Sequence, residues 1–150
     1  MTIHQLILRD SIAIQAAPAL VWDALVNPAK TKLYMFGCEA ISDWKTDSPL
    51  LWKAFPDGRE ILIMKGNIVE IERDRFLAYT MFDPNAGLDD IPENYLTVTY
   101  ELYPDNGQTI LTINQGDFAM MENGEQNYQE AVKNGGWIPI LSEIKKLLEK

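Results

Sequence analysis

The sequence predicts an α+β fold in which a curved antiparallel sheet of about seven strands packs against helices. Three patterns lead to this prediction. Alternating apolar and polar residues near the N-terminus are typical of a strand, turn signals divide residues 36–118 into further strands, and residues from about 125 onward have helical spacing. No repeat or flexible linker divides the chain, so we expect one domain over residues 1–150.

Composition and charge exclude several classes of function. The chain has 150 residues, of which 47% are apolar, and 13 Lys and Arg against 22 Asp and Glu give a net charge of −9. Such a surface repels phosphate backbones and anionic headgroups, so we expect no nucleic-acid partner. The longest stretch without a charged residue, Ser11 to Trp22, is 12 residues long. Because a membrane span needs about 20 residues, we also expect no membrane insertion.

Cysteine and histidine are each present once, as Cys38 and His4. A disulfide within the chain is therefore impossible, and zinc sites built from several His and Cys ligands are excluded. Cys38 precedes Glu39, whose charge would raise the thiol pKa, so we interpret it as a buried cysteine and not a nucleophile. No nucleotide-binding glycine pattern occurs. We expect no cofactor, no metal site and a cytoplasmic location.

The N-terminal third contains a strand and two helices. Residues 6–16 alternate in polarity, as in a half-buried strand. Ala17-Pro18 then begins a helix, because proline is tolerated in the first turn. Asn27-Pro28 interrupts this helix, and we predict a second short one from Pro28 to about Tyr34.

Turn sequences separate the strands of the middle region. Asp57-Gly58 and Asp105-Asn106-Gly107 each lie between two apolar stretches, the pattern of a β-hairpin. A charged turn, Glu72 to Arg75, separates two more. We therefore expect a meander of about six strands after the first one. The apolar stretches are 50–55, 61–64, 68–71, 76–82, 95–103 and 109–115.

The residues from about Glu125 to Lys150 have a period near 3.6 and predict a long terminal helix. Gly135-Gly136 weaken this helix in the middle, and Pro139 cannot donate a hydrogen bond to the carbonyl of Gly135. We expect either a kink at this point or a helix that begins near Trp137.

One strand, two short helices, a meander and a long final helix is the order of the helix-grip fold, whose sheet wraps around the last helix. The sequence resembles the START-like (SRPBCC) superfamily and, within it, the family related to the C-terminal domain of the activator of Hsp90 ATPase. The matching segments are 14–25 with its Val21-Trp22 pair, Asp57-Gly58, 66–71, 77–80, 109–113 before Gly116, and Gly136-Trp137 with Leu141 and Leu148. All are packing patterns, so the resemblance implies the fold more directly than an activity.

The resemblance also implies a cavity between the concave face of the sheet and the final helix. A side chain with a polar group on an inward strand face, such as Tyr100 or Gln115, needs a partner, which a ligand could supply. The alternative is that these side chains only fill a core. The residues expected around the cavity are Trp44, Trp52, Met64, Tyr79, Met81, Tyr100, Ile113, Gln115 and Trp137.

Three functions are compatible with the sequence. The first is binding of a small apolar or aromatic molecule in the cavity without catalysis. The second is a co-chaperone-like interaction with an Hsp90-type chaperone, which the resemblance suggests. The third is an enzyme similar to polyketide cyclases or aromatases, with Glu70, Tyr79 and Tyr100 as the candidate acid and base groups.

Overall fold

A computed structural model describes residues 5–149. Its seven strands form one antiparallel sheet in the order β1-β7-β6-β5-β4-β3-β2. Two short helices follow the first strand, so the predicted α+β helix-grip architecture is confirmed. The strands are β1 (Leu8–Ile14), β2 (Glu39–Ser42), β3 (Pro49–Ala54), β4 (Ile61–Glu72), β5 (Phe76–Met81), β6 (Leu96–Asp105) and β7 (Gln108–Gly116), and the helices are α1 (Pro18–Val26), α2 (Pro28–Tyr34), α3 (Gly124–Lys133) and α4 (Ile138–Leu148).

The β6–β7 hairpin is formed as its sequence predicts. Its turn residues Asn106 and Gly107 both have positive φ, 49° and 87°, as a two-residue turn that matches strand twist requires. Alternate residues of β6 face the core, whereas their neighbours face solvent. The buried set is Leu96, Val98, Tyr100 and Leu102.

The meander has six strands, but they are distributed differently from the predicted set. The segments 61–64 and 68–71 belong to one long strand, β4, and the sixth strand is the short β2. Gly66 allows β4 to continue, because a Cβ at this position would lie 1.7 Å from the carbonyl oxygen of Thr80. The glycine therefore permits a close approach of two backbones and does not end the strand.

The junction of α1 and α2 is built around Asn27. Its backbone N–H donates to the carbonyl of Asp23 at the end of α1, and its side chain accepts a 3.0 Å hydrogen bond from the N–H of Ala29 in α2. The hydroxyl of Tyr34 donates to the carbonyl of Ala24 at 2.8 Å. These bonds fix the two predicted helices against each other.

The C-terminal region contains two helices, so the prediction of one helix over 125–150 is wrong and the alternative start near Trp137 is confirmed. Gly135 and Gly136 have φ of 93° and 59°. Their N–H groups donate to the carbonyls of Val132 and Ala131, the Schellman arrangement that ends a helix. Pro139 lies in the first turn of α4, where its missing N–H costs nothing.

Helix α4 lies against the concave side of the sheet. Its residues Leu141 and Ile144 are completely buried. The Lys145 ammonium donates to the carbonyl of Ala13 in β1 at 2.8 Å. Within the described residues, no helix is long and apolar enough to cross a membrane.

Asp10 of β1 supplies the cap that α4 lacks in its own sequence. The residue before α4, Trp137, donates its backbone N–H to the Asp10 carboxylate at 2.9 Å. We expect Asp10→Ala to lower the free energy of unfolding by about 1 kcal/mol, because a capping acceptor and a favourable charge at a helix N-terminus are both lost. Urea unfolding measures this change. Asp10→Asn keeps an acceptor oxygen and is expected to retain more of the stability; an Asp10→Ala variant as stable as wild type would contradict the assignment.

Candidate functional site

A cavity of about 230 Å³ lies between the inward face of β3–β5, the α2–β2 connection and the start of α4. Its walls are formed by aromatic rings, thioethers, aliphatic chains and one thiol. No acidic or basic side chain and no amide is among the lining residues in the described part of the chain. They are Met35, Phe36, Cys38, Trp52, Ile63, Met64, Tyr79, Met81, Trp137 and Ile140.

Strand register explains how the sheet contributes to this wall. Tyr79 and Met81 are two residues apart on β5 and therefore share a face. Trp52 pairs with Met64, but the next residue of β3, Lys53, pairs with Leu62. Ile63 is thus an extra residue of β4, a β-bulge, which lets the consecutive residues Ile63 and Met64 both reach the cavity.

Four aromatic rings form a continuous chain from β3 to α4. The centroids of Trp52 and Tyr79 are 6.1 Å apart, and those of Tyr79 and Tyr100 are 5.4 Å apart in an edge-to-face arrangement. Tyr100 contacts Trp137 in the same way at 6.4 Å. Such pairs stabilise by roughly 1 kcal/mol beyond the area they bury, so the chain of rings stabilises this wall.

Polar atoms behind the wall are bonded to one another. The hydroxyl oxygens of Tyr79 and Tyr100 are 2.7 Å apart. The Trp137 indole N–H donates to the Gln115 amide oxygen at 3.0 Å, and the Gln115 amide nitrogen contacts the Met81 sulfur at 3.3 Å. Gln115 therefore fixes the Trp137 and Met81 side chains from behind.

Five of the nine residues expected around the cavity line it: Trp52, Met64, Tyr79, Met81 and Trp137. Tyr100 and Gln115 contact lining side chains from behind, and Ile113 is completely buried in the core.

Trp44 lies elsewhere, in a surface cleft with Trp22, Val26 and Ile71. The chain turns after β2, where Trp44 adopts a positive φ of 56°, and this carries its ring toward α1.

Sequence patterns did not identify the other five lining residues. Met35, Phe36 and Cys38 belong to the turn after α2, where no periodicity exists to indicate direction. Ile63 is the bulge residue, and Ile140 is on the α4 turn that follows the helix break. Cys38 is buried, as expected, and burial raises the pKa of its thiol.

The titratable groups near the cavity are neutral. Burial raises the pKa of Tyr34, Tyr79 and Tyr100 above the usual value for tyrosine. The pKa of Tyr79 is raised further by its closeness to Tyr100 and Tyr34. Glu70, a candidate acid or base, is exposed and does not line the cavity. The reason is an irregularity in the β4–β5 register between Ile68 and Glu70, which disrupts the alternation.

A curved antiparallel sheet that holds a C-terminal helix, with an apolar cavity between them, defines a protein of the START-like helix-grip class. The family model described as activator of Hsp90 ATPase homolog 1-like protein matches residues 15–149. The chain belongs to this family.

Solved structures agree with this assignment. A protein of Cytophaga hutchinsonii is 34% identical with a TM-score of 0.77, over 99% of this chain and 97% of that one. The Aha1 dimer of Colwellia psychrerythraea is 15% identical with a TM-score of 0.68, over 95% and 96%. A protein of the dynemicin biosynthetic locus is 16% identical with a TM-score of 0.70, over 98% of this chain and 48% of that one. The last two show the fold alone. No curated protein matches the sequence significantly.

The buried tyrosines lead to a prediction for alkaline pH. Their pKa values are higher in the folded state than the unfolded value near 10, so their contribution to stability is complete below pH 10 and is lost as the pH rises above it. We expect at least three of the six tyrosines to ionise only when the protein unfolds. Ultraviolet titration of phenolate, with urea-unfolded protein as control, measures this; ionisation of all six near pH 10 in folded protein would contradict it.

Proposed function

We propose that this protein binds a small apolar or aromatic molecule in the cavity between β3–β5 and α4, without chemical conversion of that molecule. The observation that supports this proposal is the lining itself: ten residues, all uncharged, on two layers of the fold. Apolar concave sites with few polar groups are typical of small-molecule binding.

The volume limits the size of the ligand. An enclosed apolar cavity of about 150 Å³ accommodates benzene. A cavity of about 230 Å³ therefore suits a molecule of roughly ten non-hydrogen atoms, such as a substituted benzene. A larger ligand would have to extend through the mouth beside Phe36, whose ring is 85% exposed.

Catalysis of the cyclase type receives less support. Proton transfer needs a group whose pKa lies near the working pH. The exposed Glu70 is outside the cavity, and the raised pKa values of Tyr79 and Tyr100 keep both hydroxyls protonated. These hydroxyls can donate hydrogen bonds but cannot act as bases at neutral pH.

Interaction with an Hsp90-type chaperone is a second candidate, and family membership is the observation that favours it. It needs a surface and not a cavity, so the two candidates are separable by experiment. Stimulation of a cognate Hsp90 ATPase by wild-type protein, retained when the cavity is filled by mutation, would support the chaperone function and make the cavity irrelevant to it.

Filling the cavity tests ligand binding. We expect Met64→Trp to weaken the binding of isopropylbenzene, a neutral apolar probe, by about tenfold or more, because the indole occupies the space that the probe needs. Met120→Trp is the matched control, since Met120 is 64% exposed and outside the cavity. Titration followed by ligand-observed NMR gives both affinities. Equal affinities for the two variants would contradict the proposed site.

Cys38 provides an independent readout, because it is the single cysteine and its thiol lines the cavity. We expect iodoacetamide to react far more slowly with folded than with urea-unfolded protein, because burial limits access and raises the thiol pKa. Saturating isopropylbenzene should slow the reaction further. Mass spectrometry measures alkylation over time, and a rate unaffected by a bound probe would place the probe elsewhere.

A further inference from the structure

The edge of the sheet at β1 is open over part of its length. β1 is an outermost strand of the sheet and pairs with β7 on its inner side. Asp105 and Gln108 close the two-residue turn of the β6–β7 hairpin as a hydrogen-bonded pair, so alternate residues of β7 bond β6 and the others bond β1. The register then directs the main-chain groups of even-numbered β1 residues toward β7. Those of Arg9, Ser11 and the preceding Ile7 face the open edge.

Side chains at the end of α4 cover one half of this edge. The carbonyl of Ala13 accepts a hydrogen bond from the Lys145 ammonium at 2.8 Å. The N–H of Gln15 donates to the Glu149 carboxylate, also at 2.8 Å. Residues 7–11 have no such cover: in the described part of the chain, no hydrogen bond reaches their edge-facing N–H and C=O groups.

A groove of about 380 Å³ adjoins the uncovered half of the edge. Residues 7–10 form one wall, and the other is formed by Tyr128 and Val132 of α3 with the glycine turn 135–136. Ile7 is 41% exposed and Val132 49%. None of the groove residues lines the apolar cavity, so the groove is a separate site.

An extended main chain is the partner whose chemistry fits this edge. Every second residue of the edge presents one N–H and one C=O in the plane of the sheet, which is the pattern that another strand satisfies. Every second side chain of the added strand would face α3, where Tyr128 and Val132 offer apolar contact. Main-chain bonds supply affinity in this mode of recognition, and side-chain contacts supply specificity.

Charge favours a basic partner over a second copy of the chain. The net charge of −9 repels another copy and attracts Lys or Arg. Antiparallel pairing of two copies over residues 7–11 would also place the two Arg9 side chains directly opposite each other, and like charges at such positions are destabilising.

We propose that the β1 edge at residues 7–11 binds an extended segment of a partner protein by strand addition. An apolar side chain of this segment enters the groove against α3, and Lys or Arg residues flank it. The proposal is independent of ligand binding in the apolar cavity, because the two sites share no lining residue.

A synthetic peptide that alternates lysine and valine over seven residues, with blocked ends, is the probe. Its control is the same peptide with every main-chain nitrogen methylated, which keeps the charge and side chains but removes the main-chain donors. We expect the control to bind about tenfold more weakly or worse. NMR titration of the protein measures both affinities. In the complex with the unmodified peptide, exchange of the Ile7, Arg9 and Ser11 amide protons should become slower.

Arg9→Pro tests the same edge from the protein side. Proline removes one edge-facing N–H and its ring occupies the edge, whereas the bonds to β7 are made by the neighbouring residues. We expect it to weaken the unmodified peptide by about tenfold or more. Arg9→Ala is the matched control, because it loses the same side chain and keeps the N–H, and its affinity should stay within about twofold of wild type. Circular dichroism checks the fold of both variants, and the two peptides decide the question on wild-type protein if Arg9→Pro does not fold.

Four results would overturn the proposal. Failure of the unmodified peptide to bind removes the site, and equal affinities of the two peptides reduce the binding to attraction by the acidic surface. A peptide with glutamate in place of lysine that binds as tightly contradicts the basic class of partner. Slower exchange at the same three amides with rising protein concentration, without any peptide, assigns the edge to a second copy.

Discussion

The position of Trp137 is the constraint on which the site depends. Its backbone N–H is held by Asp10 of β1 and its indole N–H by Gln115 of β7, so one residue is attached to the two strands at one edge of the sheet. The glycine turn at 135–136 releases Trp137 from α3 and allows α4 to begin in a new direction. A Cβ on Gly136 would lie 2.7 Å from the Asp10 carboxylate, so this attachment requires glycine there. These bonds fix the buried Trp137 ring in the position where it forms one wall of the cavity.

The cavity has an energetic cost that the rest of the fold must offset. Empty apolar volume destabilises a folded protein by about 24 cal/mol per Å³ when the surrounding side chains do not collapse into it. The chain of rings from Trp52 to Trp137 and the bulge at Ile63 prevent such collapse. The packing that stabilises the wall and the survival of the empty volume therefore have the same structural origin.

Local chemistry explains which parts could be predicted from the sequence. The β6–β7 hairpin and the α1–α2 pair follow from turn residues, proline positions and alternation, which are all local signals. The cavity lining depends on departures from periodicity: a bulge at Ile63, an irregular register near Glu70, and a positive φ at Trp44. Each departure arises from pairing with a distant strand or from a turn. Hence five lining residues could be predicted, whereas Trp44 and Glu70, which were expected at the cavity, lie outside its lining.

The α2–β2 connection forms the mouth of the cavity. On one side of it, the completely buried Thr31 bonds the N–H of Ala40 and the carbonyl of Cys38. Residues 35–37 lie between the end of α2 and Cys38. Phe36 has a positive φ, and its side chain is exposed to solvent. Gly37 follows with a φ of 82° and open space where a Cβ would be. The N–H of Gly37 donates to the carbonyl of Lys32 and that of Cys38 to the carbonyl of Met35, so this short turn is closed by its own hydrogen bonds and forms the mouth outside the sheet pairing.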